Sequence, residues 1–218
     1  YLDQYKDEEG PFFLYVAYTA PHNPLMAWPE DIQKYLGKYM KGYETIRKKR
    51  YEKQVEMGLF DTTFLLSDPV YENWNSISNE DRMIRDSIMA TYAAMIDRVD
   101  QNIGRIIEKL KKLDKFDNRI VLFMSDNGAP GQENIEKWLW GGNMQTDPSQ
   151  NIGSMGRWTS LNASWGNVSN TPFRLYKGDS HEGGISTPLI IYWKDKISEP
   201  GSITDFPAHL IDIMPTIL

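Results

Sequence analysis

The sequence predicts an α/β fold with a mostly parallel central sheet flanked by helices, and three observations support this prediction. The run Ile120–Met124 is apolar throughout and is followed at once by polar residues, which is typical of a strand buried on both faces of a parallel sheet. A long amphipathic pattern precedes this run, and a second apolar run, Leu189–Trp193, follows it. A helix that leads into a buried strand is half of a βαβ unit, from which parallel sheets are built.

The amphipathic pattern indicates a single long helix that Ser78 or Asn79 can cap. Steps of three and four residues place the apolar side chains on one helix face. These residues are Ile84, Ile88, Tyr92, Met95, Val99, Ile103, Ile106, Leu110 and Leu113. The segment after Leu113 is polar and ends the helix before the strand begins.

The remaining elements have weaker signals. The aromatic-rich segment Pro11–Tyr18 predicts a first strand. Pro29 suits the first turn of a helix that runs to about Leu36, and a second helix is expected from about Gly42 to Met57. Residues 62–79 have no clear period, so we predict a loop there.

Composition sets the broad class of the protein. The 218 residues are 40% hydrophobic and 25% charged, with a net charge of −6, as in ordinary globular domains. This acidic balance does not favour nucleic acid as a partner. The sequence has no cysteine and no apolar run of roughly 18 residues that would suggest a membrane span. The chain does not begin with Met, reaches an apolar segment by Phe12 and ends inside another apolar run, so we expect a part of a longer domain.

Polar side chains follow the predicted strands. Asp126 and Asn127 come directly after Ile120–Met124, where ligands gather in open α/β sheets. Their oxygens suit a hard cation such as Ca²⁺ or Mg²⁺. The alternative is an Asp-Asn-Gly turn whose side chains bond their own backbone. His22 follows the first predicted strand between two prolines, and it can instead bond a loop carbonyl.

A second polar cluster precedes the strand Leu189–Trp193. The pair Gly183-Gly184 permits a tight turn, which would bring Lys177, His181 and Glu182 to the same sheet edge. Lysine supplies charge to an oxyanion, and histidine can protonate a leaving oxygen. The alternatives are a surface role for Lys177 and a turn or cap role for Glu182.

The segment 128–170 is predicted to be a long loop. Loops of this length are usually functional or disordered, and its tryptophans argue against disorder. Those side chains either stack on ring-shaped ligands or cover an edge of the core. They are Trp138, Trp140, Trp158 and Trp165.

Four motifs, in this order, resemble the sulfatase family of the alkaline-phosphatase-like superfamily. The resemblance covers nearly the whole chain, and four ordered motifs are far more specific than one. The motifs are Phe13–Pro24, Tyr92–Gly104, Leu122–Gly128 and Tyr176–Pro188. A further segment, Ser169–Arg174, resembles the bacterial arylsulfatase branch.

The resemblance implies hydrolysis of a sulfate ester by a formylglycine nucleophile, with Ca²⁺, or alternatively Mg²⁺, as the cofactor. Asp126 and Asn127 match two metal ligands of the family. His22 and Lys177 match its sulfate-binding pair, and His22, together with His181 as a second candidate, would assist the leaving group. The implied partner is a sulfated carbohydrate or an aryl sulfate, and the implied location is periplasmic or secreted.

The sequence departs from the family pattern in two respects. The nucleophile motif, Cys or Ser followed by x-Pro-Ser-Arg, is absent, as are the other metal ligands. We therefore expect residues 1–218 to be the second part of an alkaline-phosphatase-like catalytic domain, without its nucleophile-bearing part and its C-terminal subdomain. We expect this chain alone to be inactive and to bind Ca²⁺ weakly, because Ca²⁺ takes about six to eight oxygen ligands.

Two other functions stay open at this point. A phosphatase or phosphodiesterase of the same superfamily would typically have a histidine where Asn127 stands, and Asn127 suits a hard cation better than zinc. A non-catalytic glycan-binding or structural role would instead use the loop tryptophans.

Overall fold

The computed structural model describes residues 2–132 and 146–218. Five helices and two strands carry the fold up to Trp193, and a short helix lies near the end of the chain. In order, they are α1 (Pro29–Gln33), α2 (Tyr43–Glu56), α3 (Asn79–Lys112), β1 (Ile120–Met124), α4 (Ala163–Ser169), α5 (Glu182–Ile185), β2 (Leu189–Trp193) and α6 (Ile213–Ile217). Short 3₁₀ helices lie at Trp74–Ser76 and Leu210–Asp212.

The long helix predicted from the apolar pattern is confirmed as α3. The Ser78 hydroxyl accepts a hydrogen bond from the Asp81 amide at 3.1 Å, which satisfies one of the free N–H groups at the helix start. Lysines fill its last turn, where positive charge is favourable. On its apolar face Ile88, Met95 and Leu110 are buried.

The helix predicted over 42–57 is also confirmed, whereas α1 is shorter than expected. It ends at Gln33 because the chain turns towards α3. There the buried Asp86 carboxylate accepts hydrogen bonds from the amides of Gly37 and Tyr39 at 2.7 and 2.9 Å. The amides of Lys34 and Tyr35 bond to carbonyls three residues back, and a side chain on another helix then bonds the amides beyond Leu36.

Trp165 of α4 lies at the centre of the main core. Its side chain is fully buried, and its ring packs against Tyr39, Tyr43 and Trp74. The indole N–H donates to the Arg85 carbonyl of α3 at 2.8 Å. The prediction of a loop over 128–170 is therefore wrong where α4 lies, because tertiary burial of one large ring holds a helix in a segment without a periodic apolar pattern.

Two of the predicted loop tryptophans cover the core. Trp158 and Trp165 are buried, which supports the core alternative for them. Trp138 and Trp140 lie outside the described residues.

The described part of the sheet differs from the prediction. β1 and β2 pair antiparallel, with Ile120 opposite Trp193 and Met124 opposite Leu189, so the parallel central sheet is not confirmed. An apolar run favours extended backbone, but it does not specify the direction of its partner strand. The predicted burial of β1 on both faces is wrong for the described residues, because Phe123 is 45% exposed and Ile190 on β2 is 59% exposed.

The predicted strand over Pro11–Tyr18 is also not found. The described residues provide no ladder partner for this segment, and Phe13 and Tyr15 are exposed. Aromatic content alone therefore overestimates strand formation, which requires a neighbouring backbone to pair with. Among the described residues no helix is long and apolar enough to cross a membrane.

Asp31 joins α1 to α3 through a buried ionic contact. Its side chain is 2% exposed and accepts from Lys34 at 2.8 Å and from Arg98 at 2.7 Å. Gln101 donates a weaker hydrogen bond at 3.4 Å. Burial alone would raise the pKa of Asp31, but these hydrogen bonds outweigh it and hold the pKa below the ordinary value of 3.8.

Replacing Asp31 by asparagine is expected to lower the free energy of unfolding by about 2 kcal/mol at pH 7, because charge-assisted hydrogen bonds are lost. A carboxylate with a lowered folded-state pKa contributes its stability above the unfolded-state pKa. That contribution disappears as the pH falls through the folded-state pKa. The midpoint of urea denaturation, followed from pH 7 into acid well below the ordinary carboxyl value of 3.8, would measure this change.

Asp117→Asn is the matched control, because it removes an exposed ion pair with Lys194, and exposed pairs contribute little. A loss for Asp31→Asn that is equally large in acid would contradict the ionic explanation.

Candidate functional site

A short turn presents His22 at the surface. The His22 amide donates to the Thr19 carbonyl at 2.8 Å, which closes the turn. Just beyond it, Leu25 and Thr159 exchange two backbone hydrogen bonds at 2.7 and 3.0 Å. Leu25 is fully buried, so the exposed His22 is held by a segment that is anchored in the core.

His22 contacts Lys177 directly. The two side-chain nitrogens, Lys177 Nζ and His22 Nε2, are 3.1 Å apart. On the other side of the ring, His22 Nδ1 lies 2.6 Å from the Asn23 carbonyl oxygen, which can only accept a hydrogen. We therefore assign the hydrogen to Nδ1, and Nε2 offers its lone pair to the lysine ammonium.

The turn after β1 presents Asp126 and Asn127. Within the described residues, neither side chain forms a hydrogen bond or an ion pair, so their oxygens are not used by the turn itself. The turn is closed instead by the Ser125 hydroxyl, which donates to the Asn127 carbonyl at 2.9 Å. The alternative of a self-bonded Asp-Asn-Gly turn is therefore not what the structure shows.

Backbone contacts join this turn to the segment that carries Lys177. The Lys177 amide donates to the Ala129 carbonyl at 3.0 Å, and the Gly128 amide donates to the Gly184 carbonyl at 3.0 Å. A Cβ atom at position 128 would overlap the Gly183 carbonyl oxygen. Glycine at 128 thus allows the two backbones to approach closely.

Gly183 and Gly184 do not form the predicted tight turn. They lie within α5, and a Cβ atom on either would overlap a carbonyl oxygen of the segment 174–179. Their role is close packing, not an unusual backbone conformation.

The structure brings together only some of the predicted site residues. His22 and Lys177 are in contact, and Asp126 and Asn127 lie on the turn that is bonded to the backbone of Lys177. His181 precedes α5, is exposed and forms no side-chain cap. None of the contacts within residues 2–132 and 146–218 joins its ring to His22 or Lys177.

One residue that the sequence did not single out connects these segments. The Asn170 carboxamide bonds to the backbone of Ala129, immediately after the turn. Its position at the end of α4 predicts only a local cap. No local pattern signals a contact across 41 residues.

The donors at Asp126 and Asn127 fit a hard cation in chemistry but not in number. One carboxylate and one amide oxygen are ligands that Ca²⁺ accepts, yet a complete shell needs about six to eight oxygens. No group of three or more His, Cys, Asp or Glu residues that could hold a metal ion occurs in the described part of the chain. These two residues would therefore form part of a calcium site.

The arrangement places a cationic side chain, Lys177, and an anionic one, Asp126, on two segments that are hydrogen-bonded through their backbones. Lys177 can donate to the oxygens of an anion, and His22 can do so when Nε2 carries a hydrogen. The adjoining turn can bind a cation that neutralises the same anion. Such a combination suits an oxyanion ester, because the cation polarises the group that is attacked.

Comparison with known proteins agrees with this chemistry. The sequence model of the sulfatase family matches residues 1–218. An uncharacterized sulfatase of Schizosaccharomyces pombe is 36% identical over 233 aligned residues, which cover 100% of this chain and 41% of that protein. An arylsulfatase of Klebsiella aerogenes is 33% identical, over 96% of this chain and 46% of that protein. The chain thus spans less than half the length of these relatives.

A solved structure supports the fold. The crystal structure of Ps i-CgsB in complex with k-i-k-neocarrahexaose matches with a TM-score of 0.52 and 26% sequence identity, over 99% of this chain and 30% of that one. The sulfatase relatives include a fungal and a bacterial protein, so membership of a bacterial branch stays a prediction. With the family match over its whole length, this chain belongs to the sulfatase family.

Proposed function

We propose that the complete protein hydrolyses sulfate esters and that this chain supplies the sulfate-binding pair and part of a calcium site. The observation that supports this most directly is the 3.1 Å contact between Lys177 and His22, beside a turn whose Asp126 and Asn127 oxygens are unused by the described residues. Family membership supports the reaction class. The oxygen donors of the turn suit Ca²⁺, with Mg²⁺ as the alternative.

In this mechanism Lys177 and His22 bind the sulfate oxygens. A sulfate ester entering between them would replace the present Lys177–His22 hydrogen bond, and the ammonium would donate to the anion instead. The bond from Nδ1 to the Asn23 carbonyl keeps the imidazole oriented. His22 is exposed, and in its protonated form the Nε2–H would give its proton to the ester oxygen as the sulfur–oxygen bond breaks, which leaves a neutral imidazole and a neutral alcohol.

The cation and the nucleophile complete the proposal. Ca²⁺ bound at Asp126 and Asn127 would neutralise and polarise the sulfate group. The nucleophile that the family implies, formylglycine, has no matching motif in these 218 residues, so we propose that this chain alone is inactive. The substrate is proposed to be a sulfated carbohydrate or an aryl sulfate.

The other candidate functions have less support. The buried positions of Trp158 and Trp165 remove two of the side chains that motivated a glycan-binding role. A phosphatase would be recognised by faster turnover of a phosphate monoester than of the sulfate monoester with the same alcohol.

Calcium titration of the complete protein tests the proposed site. Replacing Asp126 by alanine is expected to weaken Ca²⁺ binding by more than the roughly 10–100-fold that loss of an outer-shell partner costs, because a direct ligand is removed. Isothermal titration calorimetry measures this affinity. Hydrolysis of a nitrophenyl sulfate should fall in parallel.

Asp117→Ala is the matched control. Asp117 precedes β1, whereas Asp126 follows it, and its carboxylate pairs with Lys194. Calcium affinity that is equal in the Asp126→Ala variant and the unaltered protein would contradict the proposed metal site. Preferential hydrolysis of phosphate monoesters would contradict the proposed reaction.

A further inference from the structure

The proposed site is assembled from segments that are distant in sequence. The candidate metal ligands lie on the turn 125–128, and the sulfate-binding lysine lies on the segment 174–179. The structure joins them through the bond between the Lys177 amide and the Ala129 carbonyl. The Gly128 amide adds a backbone bond to the Gly184 carbonyl at 3.0 Å, and a further connection through a side chain would fix the spacing more firmly.

The side chain of Asn170 provides this connection. Its Oδ1 accepts a hydrogen bond from the Ala129 amide at 2.8 Å. Its Nδ2 donates to the Ala129 carbonyl at 3.0 Å and to the Leu175 carbonyl at 3.2 Å. The carboxamide therefore pairs with both backbone groups of Ala129, as a neighbouring strand would, and also bonds to the segment that leads to Lys177.

The backbone of Asn170 is fixed by a helix that is anchored in the core. Asn170 directly follows α4, and its own amide donates to the Gly166 carbonyl at 3.1 Å. Trp165 and Val168 fix α4 in the core, where both are almost completely buried. A side chain on such an element can hold a neighbouring turn in one place.

The chemistry of these contacts selects a carboxamide. One acceptor and two donors are required from a single planar group, and asparagine supplies this combination. An aspartate of the same shape would place a carboxylate against two carbonyl oxygens. Alanine would leave the Ala129 amide without its partner, which is costly where water cannot replace it.

We propose that Asn170 is a positioning residue of the site, which holds the Asp126–Asn127 turn at a fixed distance from Lys177. This role rests on the proposed function. The distance between the turn and Lys177 matters only if a cation and a sulfate group bind side by side there. Asn170 touches neither reactant, so it acts only through the backbone of Ala129 and Leu175.

The test compares Asn170→Asp and Asn170→Ala with the unaltered complete protein. Both variants are expected to lower Ca²⁺ affinity by about 10–100-fold, as outer-shell partners of metal ligands do. Excess Ca²⁺ should restore part of the lost nitrophenyl sulfate hydrolysis. Amide hydrogen exchange should become faster at Ala129 and Lys177, which provides a readout independent of activity.

Asn162→Gly is the matched control at the opposite end of the same helix. The Asn162 side chain caps α4 by accepting from the Trp165 amide at 3.0 Å, and glycine tolerates its positive φ of 47°. This variant is expected to lower the melting temperature without changing Ca²⁺ affinity or the exchange of Ala129 and Lys177.

Each outcome separates the positioning role from the proposed function. Unchanged amide exchange in both Asn170 variants would overturn the positioning role, and so would faster exchange with unchanged Ca²⁺ affinity. If Asn162→Gly lowers the Ca²⁺ affinity together with the melting temperature, the lower affinity of the Asn170 variants is explained by lost stability. That result would also overturn the positioning role. If the unaltered protein neither binds Ca²⁺ nor hydrolyses the sulfate ester, the proposed function fails first, and the positioning role is overturned with it.

Discussion

Replacing His22 by alanine in the complete protein is expected to lower kcat/KM for a sulfate ester by about 10²–10⁴-fold, the usual contribution of a positioned proton donor. The substitution removes the imidazole that contacts Lys177 at 3.1 Å, together with one donor to the sulfate group. Steady-state kinetics with two substrates would separate these roles. A nitrophenolate leaves without a proton, whereas an alcohol requires one, so the loss should be larger for the alkyl or sugar sulfate.

The other histidines serve as controls for this prediction. His209 is exposed and caps a 3₁₀ helix by accepting from the Ile211 amide at 3.2 Å, so His209→Ala should leave kcat/KM unchanged. His181→Ala tests the second candidate for leaving-group assistance. A larger loss for His181→Ala than for His22→Ala would transfer the proton-donating role to His181.

Replacing Trp165 by alanine is expected to lower the free energy of unfolding by about 3–5 kcal/mol, the usual cost of truncating a buried aromatic side chain. The indole is fully buried between Tyr43 at 4.5 Å and Tyr39 at 5.7 Å, measured between ring centroids. Its loss leaves a cavity in the core and removes the partner of the Arg85 carbonyl. The shift in the midpoint of urea denaturation, with an unchanged slope, measures the effect.

Two further variants make this prediction specific. Trp165→Phe keeps an aromatic ring but loses the hydrogen bond, so it should lie between alanine and the unaltered protein. Trp28 is 63% exposed, and Trp28→Ala should change the free energy of unfolding by less than about 0.5 kcal/mol, as surface substitutions usually do. Similar midpoints for Trp165→Ala and Trp28→Ala would show that Trp165 does not hold the core together.

The sequence was a good guide where the physical signal is local. The apolar spacing and the Ser78 cap predict α3, and the turn chemistry around Asp126 predicts a polar loop at the end of β1. The pairing of strands depends on residues distant in sequence, and the predictions of pairing were wrong. The segment Pro11–Tyr18 has the composition of a strand but has no strand beside it in the described residues. The same run of apolar residues predicts β1 without predicting that β2 is antiparallel to it.

The candidate site also contains residues with a local sequence signal and one residue without such a signal. His22, Lys177, Asp126 and Asn127 are recognisable because each occurs in a family motif. Asn170 also lies in a segment that resembles the family, Ser169–Arg174, but its role is not recognisable there. Its partner lies 41 residues away and is a backbone group, which any residue at position 129 other than proline would offer. Every residue except proline offers the same backbone donor and acceptor, so a contact to the backbone cannot be recognised from the identity of the partner residue.

The hydrogen bond from the Lys177 amide to the Ala129 carbonyl has a thermodynamic consequence under the proposed function. A cation that orders the turn at Asp126 also orders the backbone of Lys177, so a sulfate ester bound afterwards loses less conformational entropy. By linkage, the ester must raise the affinity for the cation by the same factor. Calcium would then be an effector of substrate binding as well as a part of the catalytic centre.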